Sequence, residues 1–124
     1  MIILSLRILL ANLSEDINLA VSSYLQSLGW RCICTTSGSQ ALLALRNQRF
    51  DVLVTDLILE NTSSLPAIRH CRTHGIGVVV FTALDQELIW RMCGPVMVLP
   101  KPARFPEISA AIRKVSRKGT GWYG

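Results

Sequence analysis

A chain of 124 residues, half of them hydrophobic and only 17% charged, has room for one domain with a substantial core and needs no disulfide or metal to hold it. No apolar run reaches about 18 residues, which excludes a transmembrane helix. The formal charge of +5 is uneven: residues 1–90 hold six Arg against seven acids, a net −1, while residues 91–124 hold seven basic residues against Glu107 alone, a net +6.

The segment Met1–Ala11 carries Arg7 inside its apolar run, with no basic stretch before it and no cleavage site after it. It reads as a first strand, Arg7–Ala11, with an apolar lead-in, not as a signal peptide. Ser14 then stands as an N-cap, and Glu15 and Asp16 suit the positive end of a helix dipole. Ile17, Val21, Tyr24, Leu25 and Leu28 follow at helical spacing, and Gly29 closes the helix. Trp30–Thr36 is a second strand, and Gln40–Gln48 a second helix with Ala41, Leu42 and Leu45 facing inward. Phe50–Asp56 is the third strand, and Glu60–Ser64 a polar loop.

Leu65–Arg72 is a short third helix, with Pro66 tolerable only in its first turn. Strand four runs Ile76–Thr82, and Ala83–Cys93 is a short fourth helix with Leu88, Ile89 and Met92 as core candidates. Gly94-Pro95 breaks it before strand five, Val96–Leu99. A fifth helix begins near Pro106 and buries Ile108, Ala111, Ile112 and Val115; from Arg117 to Gly124 the composition predicts a frayed tail. Five strands alternating with five helices imply an α/β fold, a parallel sheet with helices on both faces. The most economical strand order is the flavodoxin-like 2-1-3-4-5.

Cys32, Cys34, Cys71 and Cys93 show no zinc spacing and read as reduced cytosolic thiols. The chemistry lies elsewhere. Three strands end in a reactive group: strand three in the Asp56 carboxylate, strand four in the Thr82 hydroxyl, and strand five in the Lys101 ammonium just beyond it. In a sheet of this order the ligand site lies outside the carboxyl ends of the strands, so the three converge.

At these residues the chain resembles, over nearly its whole length, the receiver domain of bacterial two-component response regulators, a flavodoxin-like (CheY-like) fold. Gly29 precedes Asp56 by the family's interval, Thr82-Ala83 resembles its hydroxyl and small-residue pair, and Lys101-Pro102 its lysine-proline pair. The resemblance implies a receiver-like domain over residues 1–118 with a tail at 119–124. It implies a cytoplasmic phosphorelay module, not an enzyme, with Asp56 as phosphoacceptor, Thr82 bonded to the phosphoryl group and Lys101 paired with its oxygens. The implied partners are a sensor histidine kinase or histidine phosphotransfer protein and a downstream protein target.

Three departures qualify this. Where the family ends strand one in two metal-binding acids, this chain has Asn12 and Leu13. Leu ligates nothing, and a hard cation wants carboxylate oxygens, so Mg²⁺ is expected to bind weakly or not at all at Asp56. Glu15, Asp16 or Glu60 is the alternative acid. Val98 stands where the family has an aromatic switch residue, and the interval from Thr82 to Lys101 is short. The family's usual dimer face is therefore trimmed and basic, and its standard dimer is not expected to carry over.

Two other readings stand beside phosphoacceptance. One is an interaction module that works without phosphate. The other, more distant, is a nucleic-acid binder using Arg104, Arg113, Lys114, Arg117 and Lys118 of the basic C-terminal helix. An enzyme reading has little to carry it: neither His70 nor His74 lies at a predicted strand end, and no glycine-rich loop follows strand one.

Overall fold

The computed structural model describes residues 5–116. The expectations for the lead-in before Ser5, for the tail, and for Arg117 and Lys118 lie outside the described residues. In chain order the elements are β1 (Arg7–Ala11), α1 (Glu15–Ser27), β2 (Arg31–Thr35), α2 (Gly38–Asn47) and β3 (Val52–Thr55). These are followed by α3 (Leu65–His74), β4 (Gly77–Thr82), α4 (Gln86–Cys93), β5 (Met97–Pro100) and α5 (Phe105–Val115). All strand pairs are parallel and the order is β2-β1-β3-β4-β5, as the alternation of elements predicts.

The central strands are buried on both faces, and the two-residue period of a strand sorts their side chains into two cores. Leu9, Ala11, Leu53 and Val80 pack with Ala41 and Leu45 of α2, Ile68 of α3 and Ile89 of α4. Their sequence neighbours Ile8, Leu10, Val52 and Phe81 pack with Val21 and Leu25 of α1 and Ile108 and Ile112 of α5. Each fully buried aliphatic side chain contributes about 1.5–3 kcal/mol, set against the entropy of ordering it. β2 and β5 are the edges and are only partly covered.

The helix ends follow local chemistry. Ser14 Oγ accepts from Ile17 N at 3.2 Å to start α1, and Ser37 Oγ accepts from Gln40 N at 3.2 Å to start α2 two residues earlier than the apolar pattern indicates. α3 runs on to His74 and stops at Gly75, whose φ of 71° is left-handed and cheap only for glycine. A Cβ on Gly38 would overlap the carbonyl oxygens of Thr62 and Ser63, so glycine lets the β3–α3 loop lie directly on the start of α2.

Helix α4 corrects the sequence reading. It starts at Gln86, because Leu84 N donates to Thr82 Oγ1 and residues 83–85 form a loop. Eight residues give it one inner face, held by Ile89 with Cys93 beside it. Leu88 and Met92, one turn apart, share the outer face and are exposed. In α2, Leu42 is half-buried and Ala44 packs against the core.

Candidate functional site

β3 delivers Asp56 to the C-terminal edge of the sheet, and β4 and β5 deliver Thr82 and Lys101 beside it. Lys101 Nζ donates to Asp56 Oδ2 at 2.8 Å, and Leu57 N donates to Oδ1 at 2.7 Å. Both carboxylate oxygens therefore accept a hydrogen bond. The ion pair is mostly enclosed, with about a fifth of each side chain exposed. The Lys101 ammonium also lies 5.1 Å from the centroid of the Phe81 ring, whose face attracts a cation. Its backbone N–H donates to Thr82 O at 2.9 Å, which ties the β5 loop to β4. The Lys101-Pro102 peptide is cis.

Thr82 is fully buried, and its hydroxyl oxygen accepts from Leu84 N at 3.1 Å. A hydroxyl has one hydrogen and two lone pairs, so this leaves its O–H able to donate. The strand ends thus bring a carboxylate, a cation and a hydroxyl to one edge of the sheet.

Asn12 is buried, and its side-chain oxygen accepts from Ser14 N at 3.1 Å, a local turn that leads into α1. Its backbone oxygen accepts from Asn18 Nδ2. Leu13 is half-exposed. Glu60 is engaged elsewhere, its carboxylate accepting from Thr36 Oγ1 at 2.8 Å, and Glu15 and Asp16 occupy the first turn of α1. Among the described residues no three acidic, histidine or cysteine side chains gather to hold a metal. Asp56 brings one carboxylate, already paired with an ammonium, and Asn12 brings an amide oxygen already in use. This donor set is a poor one for Mg²⁺, which takes hard oxygen ligands and one or two carboxylates.

A loop network is not legible in the sequence. Ser37 pairs with Glu60 as an isolated bridge, Asn61 Nδ2 donates to Ser37 Oγ at 2.7 Å, and Gly38 N donates to Glu60 O. These contacts fix the loop that follows Asp56. The signal is present in Ser37-Gly38, which reads as simple punctuation. Phe81 likewise shows in the sequence only as part of an apolar strand.

The four cysteines are free. Burial pushes the Cys71 thiol up to about 12, and burial with Cys34 alongside pushes Cys32 up to about 11. Burial raises Cys34 and Cys93 as well, so all four stay protonated near neutrality and none is an activated nucleophile. His70 and His74 stack on the exposed side of α3, away from the strand ends. The described basic residues assigned to the C-terminal helix are split between its two ends. Arg104 caps the start of α5 at the Asp56 edge, whereas Arg113 and Lys114 lie in its last turn at the opposite edge.

No family model matches the chain. Among curated proteins it is 30% identical, over 103 residues, to the "Probable transcriptional regulatory protein TcrX" of Mycobacterium tuberculosis. That match covers 79% of this chain and 44% of the relative, so the chain spans less than half the length of the protein it matches. Solved structures agree on the fold. The receiver domain of the sensor histidine kinase PA1611 from Pseudomonas aeruginosa, which holds a magnesium ion in its active-site cleft, is 24% identical with a TM-score of 0.75, covering 90% of this chain and 98% of that one. The chemotaxis response regulator CheY4 of Vibrio cholerae is 19% identical with a TM-score of 0.79, covering 90% and 99%. A two-component response regulator from Clostridium difficile is 14% identical with a TM-score of 0.82, covering 94% and 100%. With five parallel strands in the order 2-1-3-4-5 and five surrounding helices, the chain has the CheY-like receiver-domain fold of the two-component response regulators.

Proposed function

We propose that the chain is a receiver module of two-component phosphorelay signalling, acting in the cytoplasm, with Asp56 as its phosphoacceptor position. The observation that carries this is the 2.8 Å pairing of Lys101 with Asp56, beside the buried Thr82 hydroxyl. The donor is a phosphohistidine on a sensor histidine kinase or a histidine phosphotransfer protein. An Asp56 carboxylate oxygen attacks phosphorus, the P–N bond breaks, and its electron pair stays on the imidazole nitrogen. Lys101 moves from the carboxylate to a phosphoryl oxygen, and Thr82 donates its O–H to another. Phosphoryl transfer depends on positioning and charge stabilisation, and here one ammonium and one hydroxyl supply both. Transfer is therefore slow. The module turns over no substrate of its own and passes its state to a downstream protein by contact.

A phosphorylation-independent reading has one observation in its favour: a single carboxylate faces the pocket, and both its oxygens are engaged. The two readings separate in one experiment. Amide shifts around Asp56, Leu57, Thr82 and Leu84 are followed while beryllofluoride, a phosphoryl mimic, is added with and without millimolar Mg²⁺. Shifts that vanish in Asp56→Asn establish phosphoacceptance. A silent spectrum under both conditions overturns it in favour of a module that is read constitutively.

A further inference from the structure

We propose that the N-terminal edge of the sheet, the end opposite Asp56, is a docking surface for the phosphate backbone of double-stranded nucleic acid. The proposal does not depend on phosphorylation of Asp56. Its starting point is a separation of charge along the strands. Every helix of a parallel α/β sheet starts at the C-terminal edge, and seven of the eight acids lie there. Glu15, Asp16, Glu87 and Glu107 occupy first turns, Asp85 is an N-cap, and Asp56 and Glu60 follow β3. Asp51 is the one acid at the other edge.

Helix dipoles account for part of this, since they favour acids in first turns and bases in last turns. They do not account for Arg7, Arg31 and Arg49, which open β1, open β2 and precede β3, outside any helix. The contacts join these arginines into one surface. Arg113 lies over Trp30 with its guanidinium carbon 5.1 Å from the ring centroid, and Trp30 adjoins Arg31. Arg31 is the register partner of Arg7, and both line a cleft of about 390 Å³ with Trp30, Ile33 and Phe50. Arg7 lies 5.9 Å from the Phe50 centroid, and its Nε donates to Arg49 O at 2.7 Å.

The chemistry of the surface selects its occupant. The buried centre of a protein–protein interface is usually more apolar than the surface around it. Here the aromatic rings lie beneath the guanidinium groups: Trp30 and Phe50 are only 6% and 5% exposed. Among the described residues, the exposed apolar side chains Leu88, Trp90 and Met92 belong to α4, and Ile33 is the one exposed large apolar side chain that borders the cleft. Buried rings also cannot stack on the bases of a single strand. Arginines spread over strand starts and a helix end match a duplex backbone, whose recognition is polar, positively charged and indifferent to sequence.

The test is fluorescence anisotropy with a labelled 20-base-pair duplex of arbitrary sequence, titrated with the full chain at 50 and 200 mM salt. Four backbone contacts predict a loss of affinity on the order of 100-fold between the two, and each arginine removed lowers the log–log slope by roughly 0.9. Arg31→Gln is compared with Arg104→Gln, which removes the same charge at the opposite edge. Arg31→Gln is expected to weaken binding and flatten the slope, and Arg104→Gln to do neither. The triple variant Arg31→Gln, Arg49→Gln, Arg113→Gln is expected to lose binding while its circular-dichroism spectrum stays that of the folded parent. Equal effects of Arg31→Gln and Arg104→Gln, or wild-type binding by the triple variant, overturn the surface. So does no binding at 50 mM salt. Displacement of the duplex by polyglutamate at equal charge concentration overturns the nucleic-acid assignment in favour of an acidic protein segment.

Discussion

Asp51 and Asp56 stand at the two ends of β3 and do opposite things. Asp51 precedes Val52, and its carboxylate accepts from Arg7 N at 2.8 Å, fastening the start of β1 to the start of β3. Asp56 follows Thr55, and its carboxylate faces a side-chain ammonium at the other edge. One is spent on a backbone N–H, as a strut. The other is held by a cation on a long, movable side chain, which can release it. The residue type is the same and so is the strand. What differs is the end of a parallel sheet, where helix starts gather acids at one edge and helix ends gather bases at the other.

Because one strand joins the two ends, the largest effect comes from cutting it in the middle. Leu53 is fully buried, central in the sheet and packed against α2 and α3. Leu53→Ala is expected to lose about 2–5 kcal/mol of stability in urea unfolding. If the two ends are one rigid body, the beryllofluoride response and duplex binding fall together as the protein unfolds. A variant that lost one and kept the other would show that the ends are held separately.

Next come the two aspartates themselves. Asp51→Ala removes a charged acceptor from the partly buried Arg7 N–H and is expected to cost about 1–3 kcal/mol, with the beryllofluoride shifts at Asp56 intact. Asp56→Ala is expected to abolish those shifts. Stability measured by urea unfolding and shifts measured by NMR should therefore separate cleanly between the two variants. A loss of both properties in Asp51→Ala would remove the distinction between the two ends.

Much of this contrast is legible in the sequence, and the part that is not has physical reasons. Apolar β-branched runs ending in Asp56, Thr82 and near Lys101 mark the strands and their order, because a strand buried on both faces has few other compositions. The loss of two acids is also visible, since Asn12 and Leu13 can be counted against the interval to Gly29. Helix α4 is less legible: with eight residues, its inner and outer faces are not separable by period, and Leu88 and Met92, expected inside, lie outside. The basic surface is hidden for another reason. Arg104 and Arg113 are close in sequence but sit at opposite ends of α5, while Arg31 and Arg113 are distant in sequence, yet Arg113 lies over the Trp30 ring and Arg31 lines a cleft with Trp30.

The smallest expected effect restores what the Asp56 edge lacks. In Asn12→Asp with Leu13→Asp, the carboxylate introduced at position 12 can still accept from Ser14 N, so the turn into α1 is kept. Leu13 is half-exposed, so its replacement takes little apolar surface from the core. Two added carboxylates beside Asp56 repel one another and compete for Lys101, so the double variant is expected to be slightly less stable than the parent without metal. Mg²⁺ then has an oxygen set to bind, and at ten times its dissociation constant it returns about 1.4 kcal/mol, read as a rise in the urea midpoint. The parent chain, with one carboxylate already paired, is expected to show no such rise. A parent that gained stability from millimolar Mg²⁺ as the double variant does would mean that Asp56 and Asn12 suffice for the ion. The charge contrast between the two ends would then be smaller than its residues indicate.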